Sequence, residues 1–227
     1  MKILCVSDQI DPLVYSASIR ERFSDMDLVL SAGDLPLDYL EFIVSSLNRP
    51  LFFVFGNHNL RGFHRFVRPG GDSLRNDYGL QPGAGAVHVG SRVKREEGLI
   101  IAGLGGSMMY NKGENQYTEL GMLMEIIRLL PALIINRIFR GRFLDLLLTH
   151  AAPRGIHDKE DPCHRGFKVF LWFMRIFRPR YLVHGHIHLY DHGDVRSTRY
   201  EDTVVINAYS HYIIDTEERT ASQDMVR

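Results

Sequence analysis

The segment DLVLSAGDLPLD, residues 27–38, decides how the chain is read. An apolar run, Leu28 to Leu30, enters a small-residue turn, presents Asp34, then meets Pro36 and a helix-like stretch over 37–47. Apolar runs that stop at a turn and pass into a helix are the unit of an α/β protein, whose strands expose polar residues at their carboxyl ends. The unit recurs. Runs of strand character span 3–6, 27–31, 51–55, 99–104, 144–149, 181–184 and 204–207, and helix-like stretches span 17–24, 37–47, 119–140 and 166–177. The fold class is therefore α/β. Glycine-rich pieces at 83–90 and 103–106 are expected to be loops, and the polar tail 217–227 to fray.

Composition bounds the function. A chain of 227 residues that is 45% hydrophobic and 24% charged is long enough to bury a substantial core, and its length suits one domain over 1–227. With 27 basic and 27 acidic residues it has no global field for a polyanion, so no stable nucleic-acid partner is expected. Cys5 and Cys163 make neither a disulfide framework nor a CxxC pair. A reducing, cytoplasmic setting is expected, since the N-terminal apolar run is too short for a signal peptide.

The strand ends carry a common chemistry. Asp8 and Asp11 follow the first strand, Asp34 and Asp38 the second, and Asn57 and His58 the third. His150 follows LLLT, and the GHIH motif adds His186 and His188. Carboxylates, an amide oxygen and imidazoles without thiolate suit borderline divalent ions such as Mn, Fe or Zn. Donors from five strand ends can supply two adjacent metals with Asp34 bridging, an arrangement used for phosphoryl displacement. Taken singly, Asp34 reads equally well as a helix N-cap and Asn57 as a turn residue.

In this order, GDLPLD, GNHN, LLTHAAP and GHIH after an Asp-bearing first strand resemble the calcineurin-like metallophosphoesterases, over residues 1 to about 210. YNKGENQYTE and PRGIHDKEDPCHRGF look like a bacterial cytoplasmic branch of that family. The resemblance implies a four-layer sandwich of two mixed β-sheets flanked by helices, with two divalent ions, Mn first and Fe, Zn, Ni or Mg behind it. It also implies hydrolysis of a phosphomonoester, phosphodiester or pyrophosphate by a metal-bound hydroxide. Asp34 would bridge, Asn57, His150 and His186 would complete one site, and Asp8 and His188 would belong to the other. His58 would be the acid or transition-state donor.

Two positions depart from that pattern. Where the family has D-x-H this chain has Ile10, leaving Asp11 as the nearest replacement ligand, with Asp38 a weaker one. Asn59 stands where the family has an acid, so an amide would orient His58. These departures support a second reading, a relative that has lost turnover and serves as a binding scaffold. Within the enzyme class a lipid-linked pyrophosphatase or a nuclease are alternatives.

The loop 155–167 concentrates His157, His164 and Arg165 and is expected to border the site, with Arg165 an anion clamp; Tyr110 is expected in the opposite wall. His184 is expected to point away from the ligands. His64, His88, His192 and His211 are expected in surface or loop positions. The stretches 119–140 and 167–177 are more apolar than one buried face requires, with Phe167, Phe170, Leu171 and Met174 on one face and Trp172, Phe173 and Ile176 on another. They are expected to pack on each other, and the surplus to serve self-association, a lipid-linked phosphate substrate or peripheral membrane contact. Pro131 is expected to kink or divide the first of them.

Overall fold

Strands with apolar residues on both faces need cover on both sides, and this chain supplies it with two stacked sheets and outer helices. The computed structural model describes residues 1–67, 85–191 and 193–217; His192, residues 83 and 84, and the tail from 218 lie outside the described residues. Along the chain the elements are β1 (Lys2–Ser7), α1 (Ile19–Phe23), β2 (Leu28–Ser31), α2 (Leu37–Leu47), β3 (Leu51–Phe53), α3 (Phe63–Val67), β4 (Ala86–His88), β5 (Arg92–Glu96) and β6 (Leu99–Leu104). They continue with β7 (Ser107–Met108), β8 (Gln116–Tyr117), α4 (Glu119–Arg140), β9 (Leu146–Thr149), α5 (Lys168–Phe177), β10 (Tyr181–His184), β11 (Ser197–Tyr200), β12 (Thr203–Asn207) and β13 (Ser210–Asp215).

One sheet has the order β13-β1-β2-β3-β4 and the other β11-β12-β10-β9-β6-β5. In each the central strands are parallel and an antiparallel strand closes an edge: β13 beside β1, and β11 and β5 at the two edges of the second sheet. These are the two mixed sheets expected. Part of the expected glycine-rich loop at 83–90 is instead strand β4, and Gly103 lies in β6, because both pair with neighbouring strands.

Strand alternation sorts the side chains into layers. Ile3, Cys5, Leu28 and Leu30 meet Ile101, Leu146, Leu148 and Val183 between the sheets. Their neighbours Leu4, Val6, Val29 and Phe53 face outward onto Ile19 and Phe23 of α1 and Leu40 and Ile43 of α2. On the other side Ile100, Ala102, Leu147 and Leu182 lie under Met122, Ile126 and Leu129 of α4 and Phe170 and Phe173 of α5. The result is helix, sheet, sheet, helix, and each fully buried aliphatic side chain adds about 1.5–3 kcal/mol. Burial pushes the Cys5 thiol up, so it stays protonated and behaves as a small apolar residue.

Helices α4 and α5 share one core, as expected of a packed pair, but the faces differ from those expected. Phe173 is buried with Phe170, Met174 and Phe177, while Trp172 and Ile176 are exposed. Pro131 does not divide α4, which runs unbroken from a Thr118 cap to Gly141. The proline lies on the solvent side, so the carbonyl it leaves unpaired can bond water. No helix among the described residues is long and apolar enough to cross a membrane.

Two histidines expected at the surface are structural. His211 lies in β13 and bonds Asp11, and His88 is buried in β4 among Phe53, Phe55 and Phe66. Burial pushes His88 down to about 4, and its Nδ1 has no hydrogen-bond partner. A folded-state value below the unfolded 6.5 means that the unfolded chain binds more protons, so stability is full above pH 6.5 and falls as pH drops towards 4. His88→Leu is expected to remove up to ~3 kcal/mol of that acid-side loss. Urea unfolding of both proteins across that pH range checks it, and parallel curves would show that His88 carries none of the dependence.

Candidate metal centre

The carboxyl ends of β1, β2 and β3 in one sheet and of β9 and β10 in the other meet at a common rim. Backbone bonds join the strand ends there: Asp8 N–H donates to Gly33 O at 3.1 Å within the first sheet, and Gly185 N–H to His150 O at 3.0 Å within the second. Bonds also cross between the sheets. The His186 N–H donates to both Asp8 carboxylate oxygens at 3.0 and 2.9 Å, and His150 Nδ1 donates to Ala32 O at 2.8 Å.

Asp34, His150 and His186 converge on one point. His150 Nε2 stands 3.1 Å from His186 Nδ1, 3.2 Å from Asn57 Oδ1 and 3.4 Å from Asp34 Oδ2. Carbonyls fix the tautomers. His150 spends its Nδ1–H on Ala32 O, and His186 spends its Nε2–H on Cys163 O at 2.6 Å. In their neutral forms the two rings therefore aim lone pairs at each other, with an amide oxygen and a carboxylate alongside. Such an arrangement repels itself unless a proton or a cation lies between.

The electrostatics say the same. Burial would lower His150, yet the carboxylates of Asp34 and Asp8 hold it up at about 9. His186 is pushed down to about 3, first by burial and then by His150. Asp34, despite burial, is held at about 2 by His150 and the His58 N–H, whereas burial raises Asp8. The cluster demands a positive charge, and its two imidazole nitrogens and oxygens fit a divalent cation of the Mn, Fe or Zn type. Asp8, its carboxylate buried, lies 3.9 Å from the half-exposed ring of His188 and offers the beginning of an adjoining pair.

The backbone makes room for this. Asp8, Asp34 and His186 all have left-handed φ, of 64°, 59° and 66°, at a cost of about 1–3 kcal/mol each. A Cβ on Gly56 would collide with Asp34 Oδ1, and one on Gly185 would sit 2.5 Å from Asp8 Oδ2. The glycines of GNHN and GHIH are thus part of the site, although the motif reading gave them no role. Their signal was present: each directly precedes a ligand-type residue. Also missed were the Cys163 carbonyl, which no side-chain pattern reveals, and Asn115, whose amide pins Phe55 O and Gly56 O.

Other expected residues lie as follows. Asp34 is not a helix cap, because Pro36 occupies the N-cap position of α2. Asp11 does not join the cluster: Oδ2 accepts from Ser210 and His211, both at 2.5 Å, and Oδ1 from Leu13 N–H. Ile10 is exposed and Asp38 faces solvent. Asn59 does not orient His58; its amide donates to Asp34 O at 2.8 Å, and the His58 side chain is exposed. Tyr110 bonds the Asn57 amide at 3.3 Å and so turns its oxygen inward.

The loop 155–167 does border the site, through Cys163 and through His164, whose ring lies 5.4 Å from that of His186 and bonds Asp161. Arg165 rests against Glu160 O. His157 turns to the buried His184 and to Thr198, at 2.9 and 2.8 Å, and His184 lies outside the cluster.

The family model of the calcineurin-like phosphoesterases matches residues 1–190. A search of curated proteins finds no match. One solved structure superposes with a TM-score of 0.63 at 12% identity over 94% of both chains. The crystal structure of the Thermus thermophilus protein TT1561 superposes with a TM-score of 0.58 at 13% identity, over 92% of this chain and 89% of that one. At such identities the likeness is one of fold.

The glycine contact gives a direct test. Gly56→Ala drives a methyl into Asp34 and is expected to cost about 1–3 kcal/mol in urea unfolding. It is also expected to abolish the stabilisation of metal-stripped protein by added Mn2+, read as a thermal shift. A variant that kept the full shift would show that Asp34 is not among the ligands.

Proposed function

This chain belongs to the calcineurin-like phosphoesterases, and we propose that it hydrolyses a phosphomonoester, phosphodiester or pyrophosphate at a dinuclear metal centre. The observation that carries this reading is the pair of ring nitrogens, His150 Nε2 and His186 Nδ1, facing each other at 3.1 Å beside Asp34 and Asn57. Asp34, Asn57, His150 and His186 would hold one ion, and Asp8, His188 and the second oxygen function of Asp34 the other. When bound, the ions supply an acidified water and positive charge against the transferring phosphoryl group.

The chain's own residues do the rest. Ala32 and Cys163 carbonyls hold the two rings in the metal-binding tautomer. Tyr110 holds the Asn57 oxygen inward. His58, exposed at the rim with its backbone N–H tied to Asp34 at 2.8 Å, would give a proton to the leaving oxygen. Loop 155–167 would form the substrate wall, with Arg165 the phosphate clamp. Free Cys5 and Cys163 suit a reducing, cytoplasmic setting.

The two halves are unequal. Four donors, His150 Nε2 among them, gather at the first centre, whereas beside Asp8 this chain offers His188 and no replacement from Ile10 or Asp11. Metal titration is expected to show one tightly held equivalent of Mn2+ and a second at higher concentration. That asymmetry is also what favours the second reading, a scaffold without turnover.

Hydrolysis of p-nitrophenyl phosphate and bis-p-nitrophenyl phosphate by metal-stripped protein, with Mn, Mg, Zn and Ni each added back, separates the readings. Turnover is expected to return with Mn, to fall by about 10²–10⁴-fold in kcat in His58→Ala, and to vanish in Asp34→Asn. Folded protein that binds Mn yet turns over neither ester would decide for the scaffold.

A further inference from the structure

The outer face of α4 is apolar along its length. Leu120, Met124, Ile127, Pro131, Ile134 and Ile138 follow one another at alternating spacings of four and three, the repeat of a single helix face, and every one is exposed. This is a second apolar stripe. The first, Met122, Ile126, Leu129 and Leu133, is already buried on the sheet. Exposure is high where it matters most, at 68% for Leu120, 69% for Ile138 and 80% for Phe139. On α5, which shares a core with α4, Trp172 and Ile176 are exposed as well. Monomeric proteins rarely leave so continuous an apolar surface to water without a partner.

The charge around the stripe selects the partner. The acids of α4 are Glu119 and Glu125: Glu119 bonds the first N–H groups of α5, and Glu125 bonds Ser91 and Arg128. No acid lies within α5. Arg137 bonds the carbonyl of Gly141 and lies over the Phe143 ring, and Arg140 pairs with no acid among the described residues. The lower half of the stripe therefore pairs Ile134, Ile135, Ile138 and Phe139 with uncompensated guanidinium charge. A second copy docked on this face would bring cationic flanks together with no acid to answer them, and Pro131 interrupts the seam of a helix pair.

We propose that the α4 face is a docking surface for an anionic lipid bilayer, with the helix lying in the headgroup region, its isoleucines and Phe139 in the acyl boundary and Arg137 and Arg140 on phosphate. The inference is independent of the metal centre. Membrane contact requires no spanning helix, since an amphipathic helix of 22 residues lies flat in the interface.

Trp172 is the one tryptophan of the chain and is exposed on α5, which shares a core with α4, so its emission is followed as the report of docking. The full chain is mixed with phosphatidylcholine vesicles, with or without phosphatidylserine, and followed by flotation and tryptophan emission. Co-flotation and a blue shift are expected with the anionic vesicles. Each of Arg137→Gln and Arg140→Gln is expected to weaken binding about fivefold, and Ile138→Asp with Phe139→Asp to abolish it. Far-UV circular dichroism and hydrolysis of p-nitrophenyl phosphate, unchanged in those variants, would show that folding and the rim are intact. Wild-type protein that ignores anionic vesicles overturns the proposal, whether it sediments as a monomer or as a dimer broken by Ile138→Asp. Equal binding to both vesicle types overturns the anionic part.

Discussion

Two ring nitrogens, His150 Nε2 and His186 Nδ1, face each other at 3.1 Å because each ring has given its N–H to a carbonyl. Everything at the rim answers that constraint. Asp34 and Asp8 bring negative charge to it, Asn57 brings an oxygen held by Tyr110, and Gly33, Gly56 and Gly185 let the strand ends approach closely enough to place them. The carbonyls concerned come from both layers: Ala32 follows β2, whereas Cys163 belongs to the loop after β9. The centre therefore exists only when the two sheets are stacked, and the apolar layer between them is the foundation of the chemistry.

Much of this was legible in the sequence, for a definite reason. Parallel strands covered on both faces are continuous apolar runs, and their carboxyl ends are where polar side chains collect, so Asp34, Asn57, His150 and His186 announced themselves by position. Residues whose role depends on a distant partner did not. His88 was expected at the surface or in a loop and Asn115 was given no role, because nothing local reveals that one meets Phe53, Phe55 and Phe66 while the other spans to Phe55 O and Gly56 O. Asp11 shows the converse. Its place near Asp8 suggested a ligand, but β13 pairs antiparallel with β1 and delivers Ser210 and His211 to it. Helix faces were misread for a related cause: α5 is apolar on more than one side, so periodicity could not say whether Phe173 or Leu171 lies deeper.

The left-handed backbone at Asp8, Asp34 and His186 does more than place ligand-type side chains. Glycine would occupy each of those conformations without steric penalty, but it would forfeit the bonds that the side chains make: Asp8 accepts the His186 N–H across the sheets, Asp34 accepts the backbone N–H of His58, and His186 bonds Cys163 O. Ile10, by contrast, faces solvent and takes no part in this arrangement. Asp8 and the His186 backbone thus also clamp one sheet to the other, so a substitution aimed at the Asp8 carboxylate loosens the stacking of the layers as well.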